Sequence, residues 1–463
     1  MATIDTASTD SSDGDALPSL YSDRSFWGMT VTQFFGAFND NLFKQLILLL
    51  SIKVLADGTT VDEQGTATLI FSLPFLVVTG IAGYLSDRIG KRGIIVWCKV
   101  AEILIMALGG LAFAYYTQSS SLVFLYCVLF LMGAQSGFFG PAKYGILPEM
   151  LRDNDLPRAN GFILMTTFVA IILGTVFAGF LLDYFPGRPW VGSMACVVIA
   201  VIGTISSLLV RKVPPANSQL ELRKSSFLVP PDMVAMLRED RPLLYGVIVS
   251  SLFWLLAGMF PAAINSLGKI VFQADDKTTS ILNGVVSIGI AFGCMLGGFI
   301  SRGKVDFRVL RVGAIGMIVC LVLMSIPASG NVQLLKNAQG AMQRLPGVGE
   351  SGQWLGFYGS GTMLILTGMF TGFFAVPLQV FMQTRPPDDK KGRMIALMNQ
   401  ANWVGIAISG LLYNQFSALI ESQNWARSLM FVLMAALMVP IVLFYRPTND
   451  MLEQPHTLQT TAQ

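Results

Sequence analysis

The sequence predicts an all-α integral membrane protein, with twelve transmembrane helices arranged as two pseudo-symmetric six-helix bundles. Three observations carry that prediction. Hydrophobic residues make up 53% of the 463 positions and charged residues only 13%, with a mean hydropathy of +0.61. A soluble domain carries about 25% charge to clothe its surface. Apolar runs of about 18–25 residues recur along the chain, each long enough to cross roughly 30 Å of hydrocarbon. The third observation is an internal echo: Gly137-Phe138-Phe139 closes one apolar run and Gly372-Phe373-Phe374 closes another, 235 residues later and close to half the chain. Cations and then a fresh apolar run follow each triplet, the pattern of a duplicated membrane bundle.

Taken in order, residues 1–26 form a tail that opens Ser-, Thr- and Asp-rich without an apolar core. It reads as disordered and cytoplasmic rather than as a signal peptide. The N-terminal bundle, 27–210, holds spans expected at 27–50, 65–85, 93–116, 121–142, 160–182 and 190–210. A loop over 211–242 contains Pro214, Pro215, Pro230 and Pro231 and reads as a soluble hinge. The C-terminal bundle, 243–445, holds spans expected at 243–267, 278–300, 309–327, 357–384, 394–420 and 426–445. A polar tail, 446–463, closes the chain.

Lysine and arginine set the orientation of such a chain, because cytoplasmic loops carry the excess of positive charge. Alternate loops on one side hold nineteen, from Arg88, Lys91 and Arg92 through the 211–242 loop to Arg385, Lys390, Lys391 and Arg393. The opposite loops hold six: Lys53, Arg188, Lys269, Lys277, Lys336 and Arg344. Both termini are therefore expected in the cytoplasm, with the loop 328–356 outside. The five cysteines all fall in apolar runs without metal spacing, and the single histidine, His456, lies in the final tail. They read as packing residues and a tail residue, so no metal site and no cofactor is expected. Nor is there a nucleophile–base constellation or a nucleotide loop, which excludes an enzyme reading. Nothing suggests nucleic acid as a partner.

Polar residues inside apolar runs are the candidate functional residues, since a charge at mid-membrane costs about 2.5–3.5 kcal/mol on insertion scales. In the first span Gln33, Gly36, Asp40 and Lys44 recur on one helix face, with Asn39 and Asn41 beside them. At 1.5 Å per residue Asp40 lies roughly 20 Å from the start of the span. One reading is a self-neutralising Asp40–Lys44 pair; the other is a stripe that lines a substrate path. Lys143 ends the fourth span, in a helix expected to be broken by Pro141 and Pro148. It suits either a snorkelling lysine or a phosphate contact. Lys99 and Glu102 in the third span read as a local pair on a peripheral helix. In the second half the candidate path residues are uncharged: Ser251, Trp254, Asn265, Asn283, Ser287, Gln379, Gln383, Asn399, Gln400 and Asn402.

Gly83-Tyr84-Leu85-Ser86-Asp87-Arg88-Ile89-Gly90-Lys91-Arg92 joins the second and third spans. Here glycine lets helices approach, and the cations mark the cytoplasmic surface. This stretch resembles the loop signature of the major facilitator superfamily. Further runs narrow the likeness: Ala37-Phe38-Asn39-Asp40-Asn41, Pro141-Ala142-Lys143-Tyr144-Gly145-Ile146-Leu147, Ala159-Asn160-Gly161, Ser251-Leu252-Phe253-Trp254 and Gly372-Phe373-Phe374-Ala375-Val376-Pro377-Leu378. Together they resemble the lysophospholipid transporter branch of that superfamily.

The resemblance implies the superfamily fold and an alternating-access transporter, or flippase, in the bacterial inner membrane. It would move lysophosphatidylethanolamine or lysophosphatidylglycerol between leaflets for reacylation. By position, Gly83, Asp87, Arg88, Gly90 and Arg92 would form a conformational lock. Asp40 and Asn41 would serve the head-group path, and Lys143 its phosphate. Gln33, Asn39, Lys44, Trp254, Gln379 and Asn399 complete the expected substrate-binding set. The expected partners are the lysophospholipid, membrane lipids and a separate acyltransferase or acyl-carrier-protein ligase, around a monomeric transporter. Two features depart from the branch. Met259-Phe260-Pro261-Ala262 offers no cation in the seventh span, and the 328–356 loop is long. The aspartate of the loop signature is also missing from its second-half counterpart, Gly298 to Lys304. A proton-coupled transporter of a water-soluble solute, with Asp40 as proton site, is the first alternative. A membrane scaffold recruiting an acyltransferase through 211–242 is the second.

Overall fold

Asp23 caps the first long helix. Its carboxylate accepts the Ser25 amide at 2.8 Å and pairs with Arg211 at 2.5 Å. The first contact satisfies a helix-terminal N–H, and the second ties the first helix to the segment after the sixth span. In this computed structural model, which describes residues 18–54, 60–215, 231–300, 306–328, 352–387 and 391–445, helix α1 (Arg24–Leu50) thus begins inside the expected tail. It leads through a small antiparallel hairpin, β1 (Ile52–Val54) and β2 (Thr60–Asp62), to α2 (Gln64–Arg88). Helices α3 (Lys91–Ser119), α4 (Val123–Gly145), the short α5 (Leu147–Met150), α6 (Leu156–Tyr184) and α7 (Trp190–Ser207) complete the first half.

The described part of the expected hinge is not all loop, because α8 (Pro231–Glu239) lies within it. Helix α9 (Arg241–Ser266) runs on as a π turn, Leu267–Val271. Then come α10 (Asp276–Ile300), α11 (Phe307–Ser325), α12 (Gly356–Thr384), α13 (Lys391–Ser422) and α14 (Met430–Phe444). The final tail with His456, and most of the 328–356 loop, lie outside the described residues. Pro141 does not break its helix: α4 runs through it to Gly145, as proline-bearing helices do when neighbours re-satisfy the freed backbone.

Among the described residues eleven helices are long and apolar enough to cross a membrane. Helix α1 has the length, 27 residues, but is not one of them. Gln33, Asn39, Asp40, Asn41, Lys44 and Gln45 dilute its apolar run. The polar residues that single out α1 in the sequence are those that weaken it as a simple lipid-spanning segment.

The packing repeats between halves. In the first, α1 packs on α6, α2 on α4, and α3 on α4 and α7; in the second, α9 packs on α13, α10 on α12, and α11 on α12 and α14. One apolar core is built around Met259, Phe374, Phe381 and Met434 of the second half. The first half has two cores, one around Phe43, Phe113 and Leu129, the other around Phe26, Ile95 and Ile146. The downstream glycine of the echoed triplets has a packing cause: a Cβ at Gly372 would meet the Cys294 backbone nitrogen at 2.3 Å, so α10 and α12 touch there.

Two seams, α2 with α13 and α6 with α10, join the halves. On the first, Gly65 and Gly410 face one another, and a Cβ on either would come within 2.3 Å of the other's carbonyl oxygen. Small residues that let backbones approach are the usual device for helix contact in lipid. Gly410→Val should therefore cost about 1–3 kcal/mol by overpacking, read as earlier thermal unfolding in detergent. Gly83→Ala, with nothing within 4 Å of its new methyl, should leave unfolding unchanged.

Candidate functional site

Helix α1 presents two kinds of polar residue. Gln33 and Asn39 are buried. Gln33 donates to the Thr166 hydroxyl at 2.8 Å and accepts from Thr167 at 2.7 Å, which fixes α1 on α6. Asn39 donates to Glu102 at 2.8 Å and to the Cys196 carbonyl at 3.2 Å, which fixes it on α3 and α7. Neither opens onto free space, contrary to the expectation that both line a path: each has partners on the helices that α1 packs against. Asp40, Asn41 and Lys44 stay partly exposed. Asp40 accepts the Ser136 hydroxyl of α4 at 2.6 Å, and Asn41 donates to the Ala37 carbonyl at 2.8 Å. Lys44 lies 5.3 Å from the centre of the Phe71 ring on α2. The Asp40–Lys44 ion pair is not formed, because each side chain turns to a different neighbouring helix.

Lys99 and Glu102 do form a local pair, at 2.5 Å, but not on a peripheral face. Both side chains are 1% exposed, sealed between α3, α1 and α7. Lys99 also lies 5.5 Å from the Phe139 ring. The pair is an internal strut next to the Asp40 column. Its spacing of three residues was legible in the sequence. Its depth was not, since that depends on which face of α3 meets α1.

The second half contributes an apolar cavity of about 150 Å³, lined on α9 by Phe253, Ala257, Phe260 and Ile264 and closed by Met317 and Met438. Asn283, Ser287 and Thr371 are its polar edge. Trp254, 42% exposed, sits edge-on to Phe253 at 6.1 Å. Gln379 and Asn399 are exposed on α12 and α13, while Asn402 is buried and accepts Ser250 at 2.9 Å. The side chain of Gln383 lies outside the described residues. Lys143 is partly exposed in the last turn of α4, 4.6 Å from the Tyr144 ring.

The loop signature occupies one end of the bundle. Asp87 is exposed, and no hydrogen bond or ion pair engages it among the described residues. Arg88 donates to the Tyr84 hydroxyl and Lys91 to Glu149. Arg92 donates to the Leu208 carbonyl at 3.0 Å. A Cβ on Gly90 would lie 3.1 Å from the Val213 carbonyl oxygen. The open space at Gly83 means that no described residue closes on it in this conformation.

At the opposite end the halves are clasped. Gln45 of α1 donates to Asn265 of α9 at 2.8 Å, and Asn265 donates to Gln64 of α2 at 2.9 Å. Asn283 of α10 donates to the same Asn265 oxygen at 2.8 Å. Tyr413 donates to Asp62 at 2.6 Å, Asn414 to Thr66 at 2.9 Å, and Arg427 to Thr60 at 2.5 Å. Nearer the middle, Phe75 and Trp403 stack across the seam at 3.6 Å. Sequence reading placed Asn265 and Asn283 on the path and missed Gln45, Gln64 and Tyr413. A pair of buried amides at distant positions on different helices leaves no local signal.

A polytopic helical protein with a repeated bundle, seams between halves and charges at mid-helix is a membrane transporter of the major facilitator class. The chain belongs to that family: the Major Facilitator Superfamily model matches residues 29–410. Among characterised proteins it is similar to "Lysophospholipid transporter LplT" of Yersinia pestis (strain Pestoides F), 26% identical over 394 residues, covering 81% of this chain and 82% of the relative. The protein of the same name from Yersinia pseudotuberculosis serotype I (strain IP32953) matches equally. Among solved structures, a POT family transporter in complex with a thioalcohol-conjugated peptide matches with a TM-score of 0.67 at 14% identity, over 93% of this chain and 98% of that one. A bacterial homologue of the human lysosomal transporter Spinster, inward-facing and unoccupied, matches with a TM-score of 0.60 at 12% identity, over 93% of each chain. These likenesses establish the fold.

The buried pair yields a sharp test. Lys99→Met leaves Glu102 charged and unpaired in the interior and should cost about 3–5 kcal/mol. The double change Lys99→Met with Glu102→Leu should recover most of that loss, measured by thermal unfolding of the detergent-purified protein.

Proposed function

We propose that the protein is an alternating-access flippase that moves lysophospholipids such as lysophosphatidylethanolamine or lysophosphatidylglycerol across the bacterial inner membrane for reacylation. One observation carries this reading: the charged groups and the greasy cavity lie in different halves. Asp40, Asn41 and Lys44 remain partly exposed on α1 of the first half, whereas the second half encloses Phe253, Phe260, Ile264 and Met438. An amphipath with a charged head and one acyl chain matches that division, and a sugar or peptide does not. The likeness to lysophospholipid transporters over most of the chain supports the same substrate class.

In this reading Asp40 meets a cationic part of the head group, and Lys143, at the mouth, meets its phosphate as a compact point charge. The excess of lysine and arginine supports a cytoplasmic position for the loop-signature end and both termini. The clasped far end then faces the periplasm, so the conformation is inward-facing. Rocking of the halves against each other breaks the clasp and brings Asp87, Arg88 and Arg92 into a lock at the cytoplasmic end. A separate acyltransferase or acyl-carrier-protein ligase would consume the product, and the transporter would act as a monomer without a cofactor.

A ligand panel tests this directly, because a selective binder raises apparent stability by mass action, by about 2.7 kcal/mol at a hundredfold excess over Kd. Lysophosphatidylethanolamine and lysophosphatidylglycerol should raise the melting temperature above detergent-matched controls. Diacyl lipids, sugars and cationic drugs should not. Asp40→Asn with Lys143→Ala should abolish lysolipid uptake into spheroplasts. Ala257→Trp, which fills the apolar cavity, should weaken lysolipid binding several-fold. Stabilisation by a water-soluble solute alone would replace this reading with a solute transporter.

A further inference from the structure

The far-end clasp contains a titratable group that the transport reading leaves without a task. Asp62 ends β2 of the first half and reaches α13 of the second. Its Oδ2 accepts the Tyr413 O–H at 2.6 Å, while its Oδ1 accepts the Gln64 backbone N–H at 3.3 Å and Gln64 Nε2 at 3.1 Å. The same Gln64 amide donates to the Ala262 carbonyl of α9 at 3.0 Å. Asp62 is thus the acceptor through which the hairpin of one half holds α13 of the other, while its neighbour Gln64 reaches α9.

Among the described residues no cation contacts that carboxylate. Arg427, the nearest one that acts on it, donates to Thr60 at 2.5 Å, Ser417 at 2.6 Å and Glu421 at 3.2 Å. Glu63, next in the chain, accepts the Tyr126 hydroxyl at 3.2 Å, and Lys53 across the hairpin donates to the Ser120 carbonyl at 2.9 Å. The four amides that share the clasp, Gln45, Gln64, Asn265 and Asn283, do not titrate. Two more carboxylates stand one residue back from the contact, Glu421 behind Arg427 and Asp276 behind Lys269, which donates to the Leu49 carbonyl at 3.1 Å. Among the described residues Asp62 is the carboxylate that itself accepts a hydrogen bond from the opposite half.

We propose that Asp62 is a proton-binding latch: protonation holds the far end shut, and loss of the proton frees the second half to swing away. Burial pushes the Asp62 carboxyl above the ordinary carboxylate range in the shut state, against the opposing pull of the Tyr413 and Gln64 hydrogen bonds and of Arg427. Separation of the halves hydrates the carboxyl and returns it toward its ordinary value. The shut state therefore binds the proton more tightly. It is favoured as pH falls, and that advantage is lost as pH rises through the shut-state value. Asp62 lies outside the membrane-spanning helices and keeps part of its surface open, so the proton exchanges with the same compartment in both conformations. It sets the conformational balance without being carried across.

The test needs no substrate, so its failure would leave the lysolipid reading standing. Spin labels at Val61→Cys and Ser422→Cys, both exposed at the far end, report the separation of the halves in nanodiscs, with the native cysteines replaced. The short-distance population should be largest at acidic pH and decline as pH rises through the shut-state value, by up to about tenfold in the shut-to-open ratio per pH unit separating the two states' pKa values. Asp62→Asn, which mimics the neutral carboxyl, should stay shut and lose the pH response. Tyr413→Phe removes a bond that favours the charged form and should move the midpoint to higher pH. A wild-type distribution that ignores pH, a response that survives in Asp62→Asn, or a midpoint unmoved by Tyr413→Phe would each overturn the latch.

Discussion

Hydrocarbon offers no hydrogen bonds, so every polar side chain inside these bundles must meet another polar group or reach water. That constraint sorts the polar residues of α1 into three sets with three consequences. Gln33 and Asn39 find partners on α6, α3 and α7 and fasten the helix in place. Gln45 finds its partner across the seam and fastens the two halves to each other. Asp40, Asn41 and Lys44 are left partly open, and they are the groups to which the proposed function gives the substrate. The Lys99–Glu102 pair extends the first set, since a lysine sealed beside α1 requires the carboxylate next to it.

The same constraint explains how the clasp can be both specific and reversible. Amide pairs between helices in lipid are worth roughly 0.6–2 kcal/mol each, enough in combination to favour one conformation and too little to freeze it. Close backbone contact at Gly65 and Gly410 adds van der Waals packing on the same seam. An alternating-access cycle needs an end that closes firmly and still opens. Neutral amides supply closure without the desolvation cost of ion pairs, and the Asp62–Tyr413 contact adds a term that depends on protonation.

The two halves repeat one packing plan yet differ in chemistry. The first carries buried and half-buried charges; the second carries an apolar cavity with Asn283, Ser287 and Thr371 at its edge. Solved transporters of the same fold match over nearly the whole chain at 11–14% identity, so the scaffold says little about cargo. On the proposed function, asymmetry between the halves is what favours an amphipathic cargo over a polar one.

By itself the sequence determined the fold class, the place of almost every span, the repeat and the family. Those depend on apolar run length, loop charge and short motifs, which are local properties of a chain in a bilayer. It also determined that Asp40 and Lys44 would fall inside the first long helix rather than in a loop. Only the tertiary structure decided what each polar residue does there. Lys99 and Glu102 moved from the periphery to the interior, and Asn265 from the path to the clasp, while Asn283 serves both the clasp and the cavity edge. Asp40 and Lys44 parted to different neighbours. The physical reason is the same in each case: a helix has a face toward every neighbour, and one-dimensional spacing says which residues share a face but not what that face will meet.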